Sequence, residues 1–144
     1  MKWEEILKNK YQQKSGATIE EIEHLTKSWN ADLSPKEIEV INSRQKNPFH
    51  EGDKYYNLYK PFDPSLWKFP RRKLPSSYID FLKYSNGGEF GNEDRYFQFL
   101  NTNNFREMNI LYELPEYMQD AVSFAMDGCG NHLVFDMRKE QSSN

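Results

Sequence analysis

Side chains that could bind a metal or attack a substrate are few in this sequence and lie far apart. His24, His50 and His132 do not stand at metal-ligand spacing from one another or from Cys129, the one cysteine. Cys129 also lacks an adjacent histidine or lysine that would activate its thiol as a nucleophile. We therefore expect no catalytic residue, no bound metal and no cofactor.

Two glycine-containing runs could be mistaken for ion-binding loops. The run 127–131, DGCGN, lacks the alternating acidic ligands and the distal glutamate of a calcium loop. Neither this run nor the NGG at 86–88 opens a helix directly after a strand, which a phosphate-binding loop requires. The carboxylates of Asp127 and Asp136 could flank a hairpin, but the sequence places no substrate between them. An enzyme of unrecognised type is therefore the lowest-ranked of the functional alternatives.

The length and composition favour a single folded domain. The chain has 144 residues, enough for one hydrophobic core and too few for two ordinary domains. Aromatic residues make up 15% of it, which predicts a packed core despite a mean hydropathy of -0.95. The formal net charge of -3 argues against a nucleic-acid-binding protein, which normally carries a basic excess. No run is apolar enough to span a membrane and the N-terminus is too charged for a secretory signal, so we expect a cytoplasmic protein.

The stretch 74–90, LPSSYIDFLKYSNGGEF, organises the rest of the chain because it predicts a helix and a tight reversal. Pro75 suits the first helical turn, where its missing N–H costs nothing. The NGG at 86–88 then suits a left-handed cap at the end of the helix. The aromatic run 96–100 is predicted to be the first strand of a sheet. The apolar face of the predicted helix carries Leu74, Tyr78, Phe81 and Leu82, at i, i+4, i+7 and i+8.

The N-terminal third, residues 1–47, predicts three helices. The first is indicated by Trp3, Leu7 and Tyr11, which recur every four residues. Basic residues around the third helix are balanced by acidic ones, which disfavours sequence-specific DNA binding. Start signals for the second and third helices are Thr18 with Glu21, and Ser34 with Pro35 and Glu37.

Residues 48–73 are rich in proline and in aromatic side chains. The prolines forbid a long helix and a central strand, while the rings argue against a flexible linker. One interpretation is an ordered loop whose rings cover the core. The other is a partner-binding surface, because tyrosine and tryptophan are enriched at interface hot spots. The residues assigned to this surface are Tyr55, Tyr56, Tyr59 and Trp67.

The last third of the chain predicts a helix followed by a hairpin. Residues 105–112 favour a short helix, and 114–118 a loop or helical turn. Residues 122–126 and 133–137 alternate with period two and predict an antiparallel hairpin, closed by the permissive turn at 128–131. The polar residues 138–144 are expected to fray.

Three blocks in this order resemble the SUKH superfamily, which includes the yeast glucan-synthesis-regulator family and many bacterial immunity proteins. They are LPSSYIDFLKYSNGG at 74–88, FREMNILYEL at 105–114 and FAMDGCGNHLVFDM at 124–137. Members similar to this chain usually lack the third helix and the aromatic loop, and continue beyond the hairpin, which would make this chain a variant shortened at its C-terminus. The positions that match the family pattern, and that we expect to be structural, are Leu74, Pro75, Tyr78, Asn86, Gly87, Gly88, Asp127, Gly128, Gly130 and Asn131.

The resemblance implies an α+β fold with helices packed on one side of a mainly antiparallel sheet, as one domain over residues 1–144. It also implies a non-catalytic protein-binding domain without a cofactor, which neutralises a toxin domain, often a nuclease, by blocking it. A regulatory or scaffold role of the yeast type is the alternative. Direct contact with nucleic acid or a membrane is not expected. Since a nuclease site is basic, Glu89, Glu93 and Asp94 are predicted to join the aromatic loop in the partner-binding surface.

Overall fold

Five antiparallel strands form the sheet that organises the computed structural model, which describes residues 2–138. The order of the strands in the sheet follows their order in the chain, and each pairs with the next. The fold is α+β, as the resemblance implies. The strands are β1 (Asn9–Gln13), β2 (Gly88–Asn92), β3 (Arg95–Phe99), β4 (Ala121–Met126) and β5 (His132–Asp136).

Six α-helices accompany the sheet in the described part of the chain. None of these helices is both long enough and apolar enough to cross a bilayer. Two short 3-10 turns, Tyr56–Leu58 and Pro64–Leu66, lie in the aromatic loop. The helices are α1 (Trp3–Ile6), α2 (Ile19–Ser28), α3 (Pro35–Arg44), α4 (Ser76–Tyr84), α5 (Phe105–Leu111) and α6 (Leu114–Tyr117).

Both predicted capping boxes are confirmed. The Thr18 hydroxyl accepts a hydrogen bond from the N–H of Glu21, and the Glu21 carboxylate accepts one from the N–H of Thr18. Ser34 and Glu37 exchange the same pair of bonds at the start of α3. Because each box joins residues only three apart, the local sequence is sufficient to determine where these helices begin.

The predicted helix through Trp3, Leu7 and Tyr11 is wrong beyond its first turn. Helix α1 ends at Ile6, and Tyr11 lies in β1, which pairs with the edge of β2. A short isolated helix is marginal in water. The backbone hydrogen bonds to β2 therefore stabilise this segment more than a helix with three apolar side chains on one face would.

The core lies between α4 and the inner face of the sheet. Tyr78, Phe81 and Leu82 on α4 are at most 3% exposed, as the predicted apolar face requires. The ring of Phe81 lies 4.4 Å from that of Phe99 on β3 and 5.8 Å from that of Phe90 on β2. These aromatic contacts join the central helix to two adjacent strands.

The chain reversal after α4 differs in detail from the prediction. Gly87 and Gly88 have positive φ angles of 81° and 116°, as expected. The helix, however, already ends at Tyr84, and Ser85 after it is extended, so the glycines turn the chain into β2 and do not cap the helix. The strand predicted at 96–100 is third in the sheet and not first. The GEFGN sequence of β2 was missed because two glycines give it a low strand propensity.

The C-terminal elements agree with the sequence analysis. Helices α5 and α6 occupy the predicted segments, and β4 and β5 form the predicted antiparallel hairpin. The hairpin has an irregularity between Ser123 and Ala125. The predicted fraying of residues 138–144 falls almost wholly outside the described residues.

Candidate partner-binding surfaces

Tyrosines of the aromatic loop are presented to solvent on an ordered turn. Tyr55 and Tyr56 are 43% and 37% exposed, while Tyr59 is half-buried. The side-chain amide of Asn47 donates to the carbonyl of Tyr56 at 2.9 Å. The ammonium group of Lys54 lies 4.7 Å above the ring of Tyr55, which favours a fixed orientation. The loop therefore offers two aromatic rings at its surface.

The prediction that Trp67 is an exposed anchor is wrong. Trp67 is 5% exposed and its ring stacks on that of Phe62 at 5.5 Å. Its indole N–H donates to the carboxylate of Glu116 at 2.8 Å. A tryptophan that finds both an apolar neighbour and an acceptor gains more from burial than from exposure. Trp67 therefore fastens the loop to α6.

The predicted acidic residues lie on the β2–β3 hairpin. Glu93 and Asp94 form its exposed turn, where Glu93 has a φ of 56°. Glu89 is half-buried on β2 and pairs with Gln98 on β3. The hairpin contacts β1, whereas the hydrogen bonds of the aromatic loop lead to α3 and α6. The hairpin and the loop are therefore attached to different elements.

Several family-pattern residues connect separate parts of the fold. The hydroxyl of Tyr78 donates to the carbonyl of Leu100 at 2.8 Å, and burial raises the pKa of this hydroxyl. The side chain of Asn86 accepts from the N–H of Thr102 at 2.9 Å and donates to the Glu21 carboxylate at 3.1 Å. Asn86 thus joins the end of α4 to the start of α2 and to the segment before α5.

The turn of the β4–β5 hairpin is held by Asp127. Its carboxylate accepts from the N–H of Cys129 at 2.8 Å and from both the backbone and side chain of Asn131. The bond from the Asn131 side chain comes first among the causes that lower the pKa of Asp127. Gly128 and Gly130 supply positive φ angles of 82° and 88°. The carboxylate is occupied by donors of its own turn, which is how a structural residue behaves.

Arg106 is a structural residue that the sequence analysis missed. Its guanidinium donates at 2.9 Å to the carbonyl of Ser28, the last residue of α2, and at 2.8 Å to that of Ala31 beyond it. It also donates to both carboxylate oxygens of Glu37, at 3.1 and 2.9 Å. The signal in the sequence was the absence of a glycine cap after α2, which leaves carbonyls that need donors.

One contact in the described residues has the form of a nucleophile–base pair. The hydroxyl oxygen of Ser123 lies 2.8 Å from Nδ1 of His132, a pair that the sequence analysis did not find. Ser123 is 1% exposed, so a substrate cannot reach it. The His132 ring packs against Tyr112 at 4.4 Å. The arrangement is that of a partly buried hydrogen bond between two paired strands.

The described part of the chain has no cluster of three or more histidine, cysteine, aspartate or glutamate side chains that could hold a metal ion. Cys129 is exposed and forms no disulfide. The exposed aromatic and acidic surfaces, together with a rigid core, are features suited to protein contacts.

Comparison with known families agrees with this architecture. The model of the SMI1 / KNR4 family (SUKH-1) matches residues 65–144, from the end of the aromatic loop through α4 and the last four strands. Comparison with curated proteins found no match to this chain. Members of the SUKH family are protein-interacting domains and are generally non-catalytic. Since the match covers more than half of the 144 residues, this chain belongs to the SMI1 / KNR4 family (SUKH-1).

Proposed function

We propose that this protein is a non-catalytic binding domain that neutralises a protein toxin by covering its active surface. The family match over residues 65–144 is the observation that carries the proposal. The burial of Ser123, which denies a substrate access to the Ser123–His132 pair, supports a role without catalysis. The proposed location is the cytoplasm of a bacterial cell, where a toxin with an intracellular target would have to be blocked.

Occlusion requires a rigid frame, exposed contact residues and a charge opposite to that of the target. The aromatic core around Phe81 supplies the frame. Tyr55 and Tyr56, with the half-buried Tyr59 beside them, supply aromatic contacts, and Glu89, Glu93 and Asp94 supply negative charge. A nuclease site holds phosphates and is basic, so an acidic binding domain would associate with it rapidly.

Co-expression with toxin domains encoded beside this gene tests the proposal. We expect the wild-type protein to restore growth and to bind the purified toxin directly. Replacing both Glu93 and Asp94 by lysine should slow association and weaken protection. The matched control is Glu23→Lys with Glu39→Lys, which changes the net charge equally at two exposed helical positions. If the wild type protects against none of the toxins, the proposed function is wrong; if reversal and control bind alike, only the hairpin contact is wrong.

A regulatory or scaffold role of the yeast glucan-synthesis-regulator type is the second candidate, because the SMI1 / KNR4 family model matches this chain. The same assay separates the two roles. A scaffold would bind its partners without protecting cells from any toxin.

A further inference from the structure

The connection between α5 and α6 exposes apolar side chains that the fold does not use. Leu111, Tyr112, Tyr117 and Met118 are between 44% and 71% exposed, although they lie within eight consecutive residues. Single exposed apolar residues are normal on a protein surface, but a contiguous group marks an interaction site. We call residues 111–118 the α5–α6 corner.

The outer strand of the sheet extends this apolar surface. The ring of Tyr112 lies 4.4 Å from that of His132, at one end of β5. Tyr117 and Met118 line a groove of about 520 Å³ together with Val134, further along the same strand. His132 and Val134 lie on one face of β5 because side chains alternate along a strand. The corner and this face of β5 therefore form one continuous surface.

Four carboxylates lie along residues 107–120, and one of them, Asp120, has a basic neighbour, since its charge helps to raise the pKa of Arg138. Glu107, Glu113, Glu116 and Asp120 form no ion pair with any residue between 2 and 138. The one basic side chain of the segment 105–120, Arg106, is directed into Glu37. Burial, together with the charge of Glu116, raises the pKa of Glu113. Arg138 also lines the groove beside Tyr117 and Met118, where it pairs with Asp136, so the surface is apolar and carries more carboxylates than basic groups.

The corner is held in position before any partner arrives. Glu113 adopts a left-handed conformation with a φ of 59°, and its carbonyl accepts from the N–H of Glu116 at 3.0 Å. Leu114 and Pro115 are buried beneath the turn, and the indole of Trp67 donates to the Glu116 carboxylate. Binding to a surface that is already ordered loses little conformational entropy.

We infer that the α5–α6 corner contacts the toxin partner, and that the partner presents lysine or arginine side chains beside apolar ones. This inference rests on the proposed function and adds the chemistry of the partner surface. Tyr112 and Tyr117 supply rigid aromatic anchors, the residue type that dominates binding energy at interfaces. The surrounding carboxylates attract the basic groups and set the rate of association.

The test measures toxin binding by four purified single-residue variants, at three exposed positions and at the half-buried Glu116. Tyr117→Ala removes an anchor, and its control is Ile19→Ala, since both residues are 71% exposed. Glu116→Gln removes a charge but keeps an acceptor for Trp67, and its control is Glu23→Gln on α2. Circular dichroism and melting temperature verify that all four variants are folded.

We expect Tyr117→Ala to weaken binding about tenfold or more through faster dissociation. Glu116→Gln should slow association several-fold and reduce its dependence on salt. If Tyr117→Ala and Glu116→Gln bind like their controls while the wild type still protects, the inference is wrong and the proposed function survives. If the wild type neither protects nor binds any toxin, both are wrong.

Discussion

The side-chain amide of Asn109 on α5 hydrogen-bonds to both the N–H and the carbonyl of Ser123 on β4, the two groups that a neighbouring strand would otherwise pair with. It donates to the carbonyl of Ser123 at 3.0 Å and accepts from the N–H of Ser123 at 2.7 Å. Strand β3 pairs with β4 only through Gln98 and Phe99, so it does not reach Ser123. Asn109 satisfies the backbone groups that β3 leaves free and fastens α5 to the sheet.

Replacing Asn109 by leucine should lower the free energy of unfolding by about 2–4 kcal/mol, because buried backbone groups of Ser123 lose their partners. Asn109→Asp should be more harmful at neutral pH, since a carboxylate cannot donate to the carbonyls of Phe105 and Ser123. Urea unfolding measures both effects. The control is Asn103→Leu, at an exposed position in the turn before α5. Equal stability of the Asn109 and Asn103 variants would contradict the structural role of Asn109.

Glu37 should make stability depend on pH. Hydrogen bonds from Arg106 are the main cause that lowers the pKa of Glu37 below its ordinary value of 4.5. Because the pKa is lower in the folded state, the stabilisation is complete above the ordinary value and is lost as the pH falls through the folded value. Glu37→Gln should therefore be less stable than the wild type at pH 7, by about 1–2 kcal/mol, and the difference should shrink in acid.

The free energies of unfolding of the wild type and of Glu37→Gln, measured between pH 3 and pH 7, give the difference in stability between them. Glu39→Gln, an exposed position on the same helix, is the control. A constant difference between wild type and Glu37→Gln over the whole range would rule out the Arg106 contact as its cause.

Gly88 should tolerate a side chain less well than Gly130. Both have positive φ, so alanine at either position is strained by about 1–2 kcal/mol. A Cβ atom at Gly88 would also lie 2.3 Å from the carbonyl oxygen of Gln12 on β1, whereas nothing lies within 4 Å at Gly130. Gly88→Ala should therefore cost at least about 2 kcal/mol and loosen β1.

Hydrogen exchange of the β1 amides and thermal unfolding measure these effects, with Gly130→Ala as the matched control. Unchanged exchange in β1 for Gly88→Ala would show that β1 does not pack against this glycine.

Trp67→Ala should lower the stability of the protein, because Trp67 is a buried residue and not an exposed contact for a partner. Loss of a buried indole and of its bond to Glu116 should lower the free energy of unfolding by about 3–5 kcal/mol. The neighbouring Leu66 is 74% exposed, and Leu66→Ala should change stability by less than about 0.5 kcal/mol. Melting temperatures of the two variants test the prediction. Similar values would contradict the structural role of the buried Trp67 side chain.

Local features of the chain were predictable because the groups involved are close in sequence. The capping boxes at Thr18 and Ser34 join residues three apart, and the two strands of the β4–β5 hairpin are joined by a short turn, with one irregularity between Ser123 and Ala125. The apolar face of α4 follows from helical spacing alone. The family resemblance depended on α4, α5 and the β4–β5 hairpin, whose local sequences are recognisable without the tertiary structure.

Contacts between distant segments were decided only by the tertiary structure. Tyr11 is in a strand because β2 lies beside it, although its spacing from Trp3 and Leu7 favours a helix. Trp67 and Tyr55 look equivalent in the sequence, yet only Trp67 finds a stacking ring and an acceptor on another helix. The acceptors of Arg106 and of Asn109 include groups on other elements, between 14 and 78 positions away. The stability of such groups depends on neighbours that only the folded chain brings together, and these neighbours cannot be predicted from spacing along the sequence.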